Sequence, residues 1–218
     1  MKILVFDTET TGLPKGYNPS ILETDKWPHI IQLSFIVYET DSRVIVSIHD
    51  NIVSIDDSVE LTEDSVKMHN ITRERSKQEG LPIKALLKTF NTYLQNADLI
   101  VGHNVSFDKR IIMVESIRNN IKQHFTVKNV KKQEYCTMKN SVDLCKIERT
   151  SSTGNTYYKY PNLSELYNKL FDVIPCGVHN SLVDILVCLR CYIKLTENYD
   201  VLEVENIREL FEKYSINH

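Results

Sequence analysis

The chain has 218 residues, of which 42% are hydrophobic and 25% charged, and its formal net charge is −3. This size and composition are typical of a globular domain that buries a sizeable core. No run of about 18 apolar residues is present, which argues against a transmembrane helix. A protein that binds long duplexes by neutralising phosphates usually has a basic excess, and this chain has none.

The amino-terminal segment and the cysteines indicate a reducing compartment. The first residues are too few and too soon acidic for a secretory signal, and the five cysteines are odd in number and scattered. We therefore expect an intracellular, by default cytoplasmic, protein without a membrane partner. Cys188 and Cys191 form a CxxC within a helical pattern, and without a second ligand pair they predict helix packing rather than a zinc or redox site.

The first part of the chain predicts three strands and one long loop. Runs rich in Ile, Val and Phe predict strands at Lys2–Phe6, His29–Glu39 and Arg43–Asn51, with a hairpin-like connection between the last two. The segment Pro14–Pro28 is longer than most connections, and such a length is typical of loops that cover a functional site.

The rest of the chain predicts helices interleaved with two short strands. Thr62 is a candidate helix N-cap, followed by acids in the first turn. Apolar spacing predicts helices at Pro82–Asn96, Ser106–Asn120, Lys139–Ile147, Asn162–Phe171, Ser181–Glu197 and Leu202–Tyr214, and strands at Asp98–Gly102 and Glu134–Met138. Lys128–Lys132 is interpreted as a solvated edge, and Ser151–Asn155 as a mobile polar loop.

This order of elements predicts an α/β fold, with a mixed β-sheet flanked by α-helices. We expect one domain over residues 1–200, and a helical tail over 201–218 that packs on the same domain. A tail helix that binds a partner is the alternative.

Two carboxylates, Asp7 and Glu9, directly follow the first apolar strand. A carboxylate is rarely buried unless something pairs with it. Residues i and i+2 of an extended strand project from the same face, so both side chains can point at one place. Hard cations such as Mg²⁺ prefer oxygen ligands. The pair therefore predicts a metal site, although an Asx turn at Asp7 is an alternative.

Two further acids each lie in the first turn of a predicted helix. Asp108 follows a Ser106 cap, and Ser181 with Asp184 fits a capping box, so a helix start alone explains each acid. His179 precedes Asp184 by five residues, about 140° apart on a continuous helix. If Ser181 is the cap, His179 lies on the preceding loop and can reach the same site.

These motifs resemble those of the DEDDh 3′–5′ exonucleases, the DnaQ-like branch of the ribonuclease H-like fold. The matching segments are Phe6–Leu13, His103–Asp108 and His179–Asp184, and Met68–Thr72 is similar to a further recurring segment, with Asn70 where Gly is usual. The resemblance covers nearly the whole chain, from about Met1 to Glu197. Asn180 stands where the tyrosine-type branch has tyrosine.

Two features depart from the family pattern. The loop Pro14–Pro28 is longer than the family leads us to expect, which affects substrate access. The tail after Thr196 matches nothing in the family.

The resemblance implies two divalent ions, Mg²⁺ with Mn²⁺ as a substitute. Asp7, Glu9 and Asp184 would surround one ion, and Asp7 with Asp108 the other, in a two-metal hydrolysis of a phosphodiester. His179 would remove the proton of the attacking water. Nucleoside 5′-monophosphates would leave stepwise from the 3′ end of single-stranded DNA or RNA.

The resemblance also implies substrate contacts and partners. The residues expected to hold the terminal nucleotide are Thr10, Gly12, Leu13, His69, Asn104 and Phe107. Phe107 equally fits the apolar stripe of its helix, so core packing stays open for it. The implied partner is a single-stranded 3′ end, with a DNA polymerase as a second candidate, and the oligomeric state is left open.

Two other hypotheses explain part of the sequence. Strand-Asp7-x-Glu9 is similar to the first motif of haloacid dehalogenase-like phosphatases, but that family normally has Asp as the second acid and needs a later Lys and acidic pair, for which Asp56-Asp57 is a poor match. A non-catalytic docking module of the exonuclease fold would be expected to lose motif acids, and all four are present. The choice between DNA and RNA, and between proofreading, repair and RNA trimming, stays open.

Overall fold

A five-stranded mixed sheet organises the computed structural model, which describes residues 1–218. The strands are, in chain order, β1 Lys2–Thr10, β2 Ile30–Glu39, β3 Val44–Ile52, β4 Leu99–Gly102, β5 Thr126–Val127, β6 Val130–Lys131, β7 Gln133–Cys136, β8 Glu148–Thr150 and β9 Thr156–Tyr158. The large sheet has the order β3-β2-β1-β4-β7. β2 is antiparallel to β1 and β3, whereas β1, β4 and β7 are parallel.

Nine α-helices complete the fold. They are α1 Glu63–His69, α2 Arg73–Glu79, α3 Ile83–Asn96, α4 Val105–Arg118, α5 Thr137–Asn140, α6 Val142–Cys145, α7 Leu163–Phe171, α8 Ser181–Glu197 and α9 Glu205–Lys213, with 3₁₀ turns at Thr24–Lys26 and Val201–Glu203. The predicted mixed sheet flanked by helices is confirmed. No helix is both long and apolar enough to cross a bilayer.

The sheet buries one hydrophobic core on each face, because successive side chains of a strand point to opposite sides. Ile3 and Val5 of β1 belong to a cluster formed with α7, α8 and α9. Leu4 and Phe6 belong to a second cluster formed with α3 and α4. Helices on both faces can therefore deliver side chains to the same end of the sheet.

The carboxy-terminal residues pack on the α8 face. Ile207 and Phe211 of α9 are fully buried in the same cluster as α8. Arg190 of α8 forms an ion pair with Asp200 at 2.8 Å and donates to the Tyr167 hydroxyl, which in turn donates to a backbone carbonyl in the tail. The tail thus covers apolar surface of α8.

The first strand is longer than predicted. β1 continues past Phe6 to Thr10, because β2 pairs with it as far as Glu9 opposite Gln32 and Thr10 opposite Ile30. The register shifts between Glu9 and Thr10. Asp7 and Glu9 therefore lie within the strand rather than after it.

Several short polar elements have no apolar periodicity and were not predicted. Helix α2 buries only Ser76. Lys128 and Asn129 both have positive φ, of 49° and 64°, and form a two-residue turn between β5 and β6. The helix predicted at Lys139–Ile147 is instead α5 and α6, interrupted at Ser141.

Two helix N-caps and one helical segment agree with the local sequence signals that predict them. Thr62 accepts a hydrogen bond from the Ser65 amide at 3.2 Å, as predicted, and Asn162 caps α7 in a capping box with Glu165. Cys188 and Cys191 are buried free thiols within α8, in agreement with helix packing.

Candidate active site

The candidate site lies where the parallel strands end. β4 pairs with β1 only from Ile3 to Val5, so Asp7 and Glu9 project beyond the end of β4. In α/β sheets, ligands bind outside the carboxyl ends of the parallel strands. The register shift after Glu9 bends the strand at the same place, a device that often re-aims side chains next to active sites.

Three carboxylates converge here from two elements. Asp7 and Glu9 of β1 and Asp184 of α8 each offer an oxygen, and these oxygens lie within 4.8 Å of one another. Asp7 and Glu9 share the face of β1 that bears Ile3 and Val5, which is the face that α8 covers. The first turn of α8 therefore carries Asp184 to the two strand acids.

The start of α8 differs from the predicted capping box. Asn180, not Ser181, is the N-cap, and its side chain accepts from the amides of Leu182 and Val183. The Ser181 hydroxyl donates to the Asp7 carbonyl at 2.8 Å, which fastens the helix to β1. Asp184 is therefore free of capping, and it accepts instead from the His179 amide at 3.1 Å.

Asp108 reaches the site from the opposite face of the sheet. Its Oδ1 accepts from the Thr8 amide at 3.1 Å and from the Thr8 hydroxyl at 2.8 Å. The predicted Ser106 cap is wrong: α4 begins at Val105 after Asn104, which has a left-handed φ of 69° and makes no side-chain cap bond. Asp108 is close enough for the Asp7 charge to act on it, but it is not one of the three converging acids.

Crowding and burial make these acids hard to ionise without a cation. Burial raises the pKa of Asp7 to about 7. Burial, followed by the charges of Asp7, Asp184 and Asp108, raises the pKa of Glu9 to about 10. The pKa values of Asp108 and Asp184 are also raised, chiefly by burial and then by the charge of Asp7. A carboxylate group of this kind fits a hard divalent cation, whose charge offsets the repulsion.

His179 stands at the mouth of the site. It lies on the loop before α8 with a φ of 71°, and its exposed ring makes no hydrogen bond within the protein. It lines a cleft of about 260 Å³ together with Asp7, His103, Asn162, Leu163, Ser164, Val178 and Asp184. An unpaired imidazole beside converging carboxylates is available for proton transfer.

His103 contributes to this cleft although the sequence did not single it out as a site residue. Its Nε2 lies 3.0 Å from the Pro161 carbonyl and its Nδ1 lies 2.9 Å from the Thr137 hydroxyl. Because a carbonyl only accepts, Nε2 carries the proton. Burial lowers the pKa of His103 to about 4, so the ring stays neutral and joins β4 to the start of α7. Its position directly after a predicted strand was the one feature of the sequence that could have identified it as a site residue.

The turn after β1 lies beside the acids. The Thr10 hydroxyl donates to the Gly12 carbonyl at 2.8 Å, and a Cβ on Gly12 would lie 3.3 Å from the Thr62 side chain. Leu13 is 81% exposed. The turn thus packs on α1 and leaves the Leu13 side chain in solvent.

The other predicted substrate contacts occupy different settings. His69 is only 3% exposed, and while its Nδ1 accepts from the Ile71 amide at 3.0 Å, its Nε2 has no partner in the protein. Asn104 is exposed. Phe107 is half-buried, with its ring 6.4 Å from that of Trp27, and it packs against the core cluster that contains α3 and α4.

The loop Pro14–Pro28 does not cover the acids, contrary to the expectation for its length. No residue of this loop lines the cleft that contains Asp7, His179 and Asp184. Two arginines of α4 hold it instead. Arg118 donates to the backbone carbonyls of Thr24, Trp27 and Pro28. Arg110 donates to the side-chain oxygen of Asn18 and to the backbone carbonyl of Pro19. The loop walls a separate cavity of about 590 Å³ next to Gly12 and Leu13.

Comparisons with known proteins agree with this arrangement. The family model described as exonuclease (RNase_T) matches residues 4–192. No curated protein sequence matches the chain.

Solved structures show the same fold. Escherichia coli exonuclease I in complex with a dA16 oligonucleotide is 14% identical with a TM-score of 0.66, over 90% of this chain and 41% of that one. Product-bound exonuclease I is 14% identical with a TM-score of 0.65, over 97% and 46% of the two chains. The chain thus spans less than half the length of these proteins.

The family match extends over most of the chain and includes all three acidic motifs. It argues against the phosphatase hypothesis. The chain therefore belongs to the exonuclease family, in its DnaQ-like DEDDh branch.

Proposed function

We propose that this protein is a metal-dependent 3′–5′ exonuclease that releases nucleoside 5′-monophosphates from the 3′ end of single-stranded DNA or RNA. The observation that carries the proposal is the convergence of Asp7, Glu9 and Asp184 within 4.8 Å in a site that also holds His179. Family membership supports the reaction class. The exonuclease I complexes contain dA16 and dT13 oligonucleotides, which supports a single strand as the substrate class.

The acids suit two Mg²⁺ ions, with Mn²⁺ as a substitute. Asp7, Glu9 and Asp184 would hold one ion, and Asp7 with Asp108 the other. When bound, such ions supply a more acidic water and neutralise charge on the attacking and leaving oxygens. The Thr8 amide and hydroxyl orient Asp108 from its far side, as outer-shell donors commonly orient metal ligands.

The protein residues have distinct roles in this proposal. His179 takes the proton of the attacking water, since its ring is exposed, unpaired and in the same cleft as Asp184. The amide of His179 donates to Asp184, which couples the position of the base to that of a metal ligand. Thr10, Gly12 and Leu13 form the turn that would meet the terminal nucleotide. The exposed Asn104, directly before α4, and the half-buried Phe107 in its first turn would also contact it. His69 would support this turn from inside the protein, because its ring is buried.

The direct test uses single-stranded oligonucleotides labelled at the 5′ end, as DNA and as RNA, incubated with Mg²⁺ or with chelator. We expect a ladder that shortens from the 3′ end, with mononucleotide 5′-phosphates as products, only when metal is present. A 3′-terminal phosphate should block the ladder, because it replaces the terminal 3′-hydroxyl that the site must accommodate with a bulky, charged group. Internal cleavage, or equal degradation in chelator, would contradict the proposal.

The raised pKa values also predict how stability depends on pH and metal. A carboxyl whose pKa is higher in the folded state than in the unfolded state stabilises the fold at low pH, and this stability is lost as pH rises through the folded pKa. Metal-free protein should therefore lose stability as pH rises towards about 7, the pKa of Asp7, and further towards about 10, the pKa of Glu9. Mg²⁺ at 100 times its dissociation constant at pH 8 should restore about 2.7 kcal/mol. The same concentration should shift the melting temperature less at pH 5, where protons compete with the metal for the carboxylates. Thermal melts at both pH values, with and without chelator, check this, and no metal-dependent shift at pH 8 would count against the site.

A further inference from the structure

The β8–β9 hairpin is an isolated two-stranded arm. Its strands, Glu148–Thr150 and Thr156–Tyr158, pair only with each other, and all six residues are exposed. A hairpin of this kind is at best marginally stable by itself, and it buries nothing in the core. Its side chains are therefore not explained by folding.

Three tyrosines are exposed in this arm, taken to include the two residues that follow β9. Tyr157, Tyr158 and Tyr160 are 52%, 44% and 57% exposed. The chain has 11 tyrosines, and outside this arm only Tyr17 is exposed to a similar degree. Aromatic side chains contribute to stability mainly when buried, and a cluster left in water is typical of a binding surface.

Positive charge accompanies the aromatic rings. Arg149 lies directly opposite Tyr157 in the hairpin register, so both project from the same face. Lys146, at the end of α6, is exposed nearby in sequence. Neither cation forms an ion pair, although the charge of Arg149 acts on Glu165, the carboxylate that Lys159 contacts at 2.6 Å. Unpaired cations beside open rings suit a ligand with phosphates and bases.

The arm leads directly into the active-site cleft. The Lys159 amide donates to the Ile147 carbonyl at 2.9 Å, which closes the base of the hairpin. Two residues later, the Pro161 carbonyl is held by His103, and Asn162 and Ser164 line the cleft. Because a residue spans at most about 3.6 Å, the backbone of Tyr157 lies within about 18 Å of Asn162.

We propose that this face of the hairpin and the segment directly after it bind the single strand upstream of its 3′ end, with bases stacked on Tyr157 of the hairpin and Tyr160 of that segment and phosphates paired with Arg149. The inference rests on the proposed function, since it supplies the path of the strand that the acids would cut. Stacking is tolerant of sequence because every base has a flat face, which suits an enzyme that must accept each nucleotide in turn. The net charge of the chain is −3, so local cations of this kind are needed to hold a phosphate backbone.

The test measures binding in chelator by fluorescence anisotropy, with labelled single strands of DNA and of RNA. One strand has about 3 nucleotides and the other about 16. The short strand is shorter than the site sizes typical of stacking grooves, whereas the long strand fills them. We expect Tyr157→Thr and Tyr160→Thr each to weaken the long strand about 5- to 150-fold, the range for one lost stacked base, with little change for the short one. Tyr157→Phe should restore the affinity, because it keeps the ring, and Arg149→Gln should reduce the salt dependence for the long strand.

The matched controls come from the other small hairpin, β5–β6. Val130→Thr and Lys131→Gln change an exposed strand residue and an exposed cation there, and both should bind like the wild type. Wild-type affinity of the β8–β9 variants for the long strand would overturn the inference, as would an equal loss for both lengths. If the wild type cuts no strand but the variants still weaken long-strand binding, the exonuclease proposal fails and the hairpin surface stands.

Discussion

Replacing Asp184 with Asn should remove nearly all hydrolysis while leaving the metal-free fold as stable as the wild type or more stable. The amide keeps the shape and can still accept from the His179 amide, so the loop should stay in place. It removes one of three carboxylates that lie within 4.8 Å of one another and repel in the absence of metal. Loss of one electrostatic group in a transition state typically costs about 10²–10³ in rate, and loss of a metal ligand should cost at least that.

The two readouts should therefore move in opposite directions. Activity is followed on a 5′-labelled strand with Mg²⁺, and stability by thermal melting in chelator at pH 8. Asp143→Asn is the matched control, because Asp143 is exposed at the start of α6, away from the acids, and should change neither value. Activity of Asp184→Asn within about tenfold of the wild type would remove Asp184 from the metal site.

Replacing His179 with Ala should slow hydrolysis by about 10²–10⁴, the usual contribution of a general base. Metal binding should persist, because the imidazole ring makes no contact with the acids in the protein and Asp184 bonds only to the backbone amide. The stabilisation by Mg²⁺ in thermal melts should thus equal that of the wild type.

His124→Ala serves as the control for the loss of a histidine outside the site. His124 lies between α4 and β5, and it does not line the cleft that contains His179. An unchanged rate and pH profile in His179→Ala would assign the proton transfer to another group. A loss of the Mg²⁺-dependent melting shift would instead make His179 a structural support of the site.

These two variants also separate the enzyme from the docking-module hypothesis. A non-catalytic domain would not shorten an oligonucleotide, with or without metal. Neither variant would change that result. The presence of Asp7, Glu9, Asp108 and Asp184 together favours the enzyme.

Local signals in the sequence determined much of the fold. β1 was identified by a continuous apolar run, because it is buried on both faces, and α3 by apolar residues at spacings of three and four, because it is buried on one. The Thr62 cap was visible from its short polar side chain and the acids after it. Polar elements such as α2 and the β8–β9 hairpin carry no such period and were missed for that reason.

The acids themselves were recognisable from the sequence, but their environment was not. The alternation of β1 placed Asp7 and Glu9 on one face, and the motif spacing identified Asp108 and Asp184. The bond between Thr8 and Asp108 joins residues 100 apart, and that between Ser181 and Asp7 joins residues 174 apart. Neither has a local signature, and the local pattern of Ser181 and Asp184 favours a capping box instead.

The sequence by itself thus determined the elements that carry apolar patterns, the order of the acidic motifs and the resemblance to the family. Only the tertiary structure decided that Asp108 enters from the opposite face of the sheet to Asp184, that His103 is a neutral connector, and that the long loop walls a neighbouring cavity instead of the acids. The physical reason is range: backbone propensity and burial period act over a few residues, whereas these contacts depend on how helices from both faces pack against one sheet.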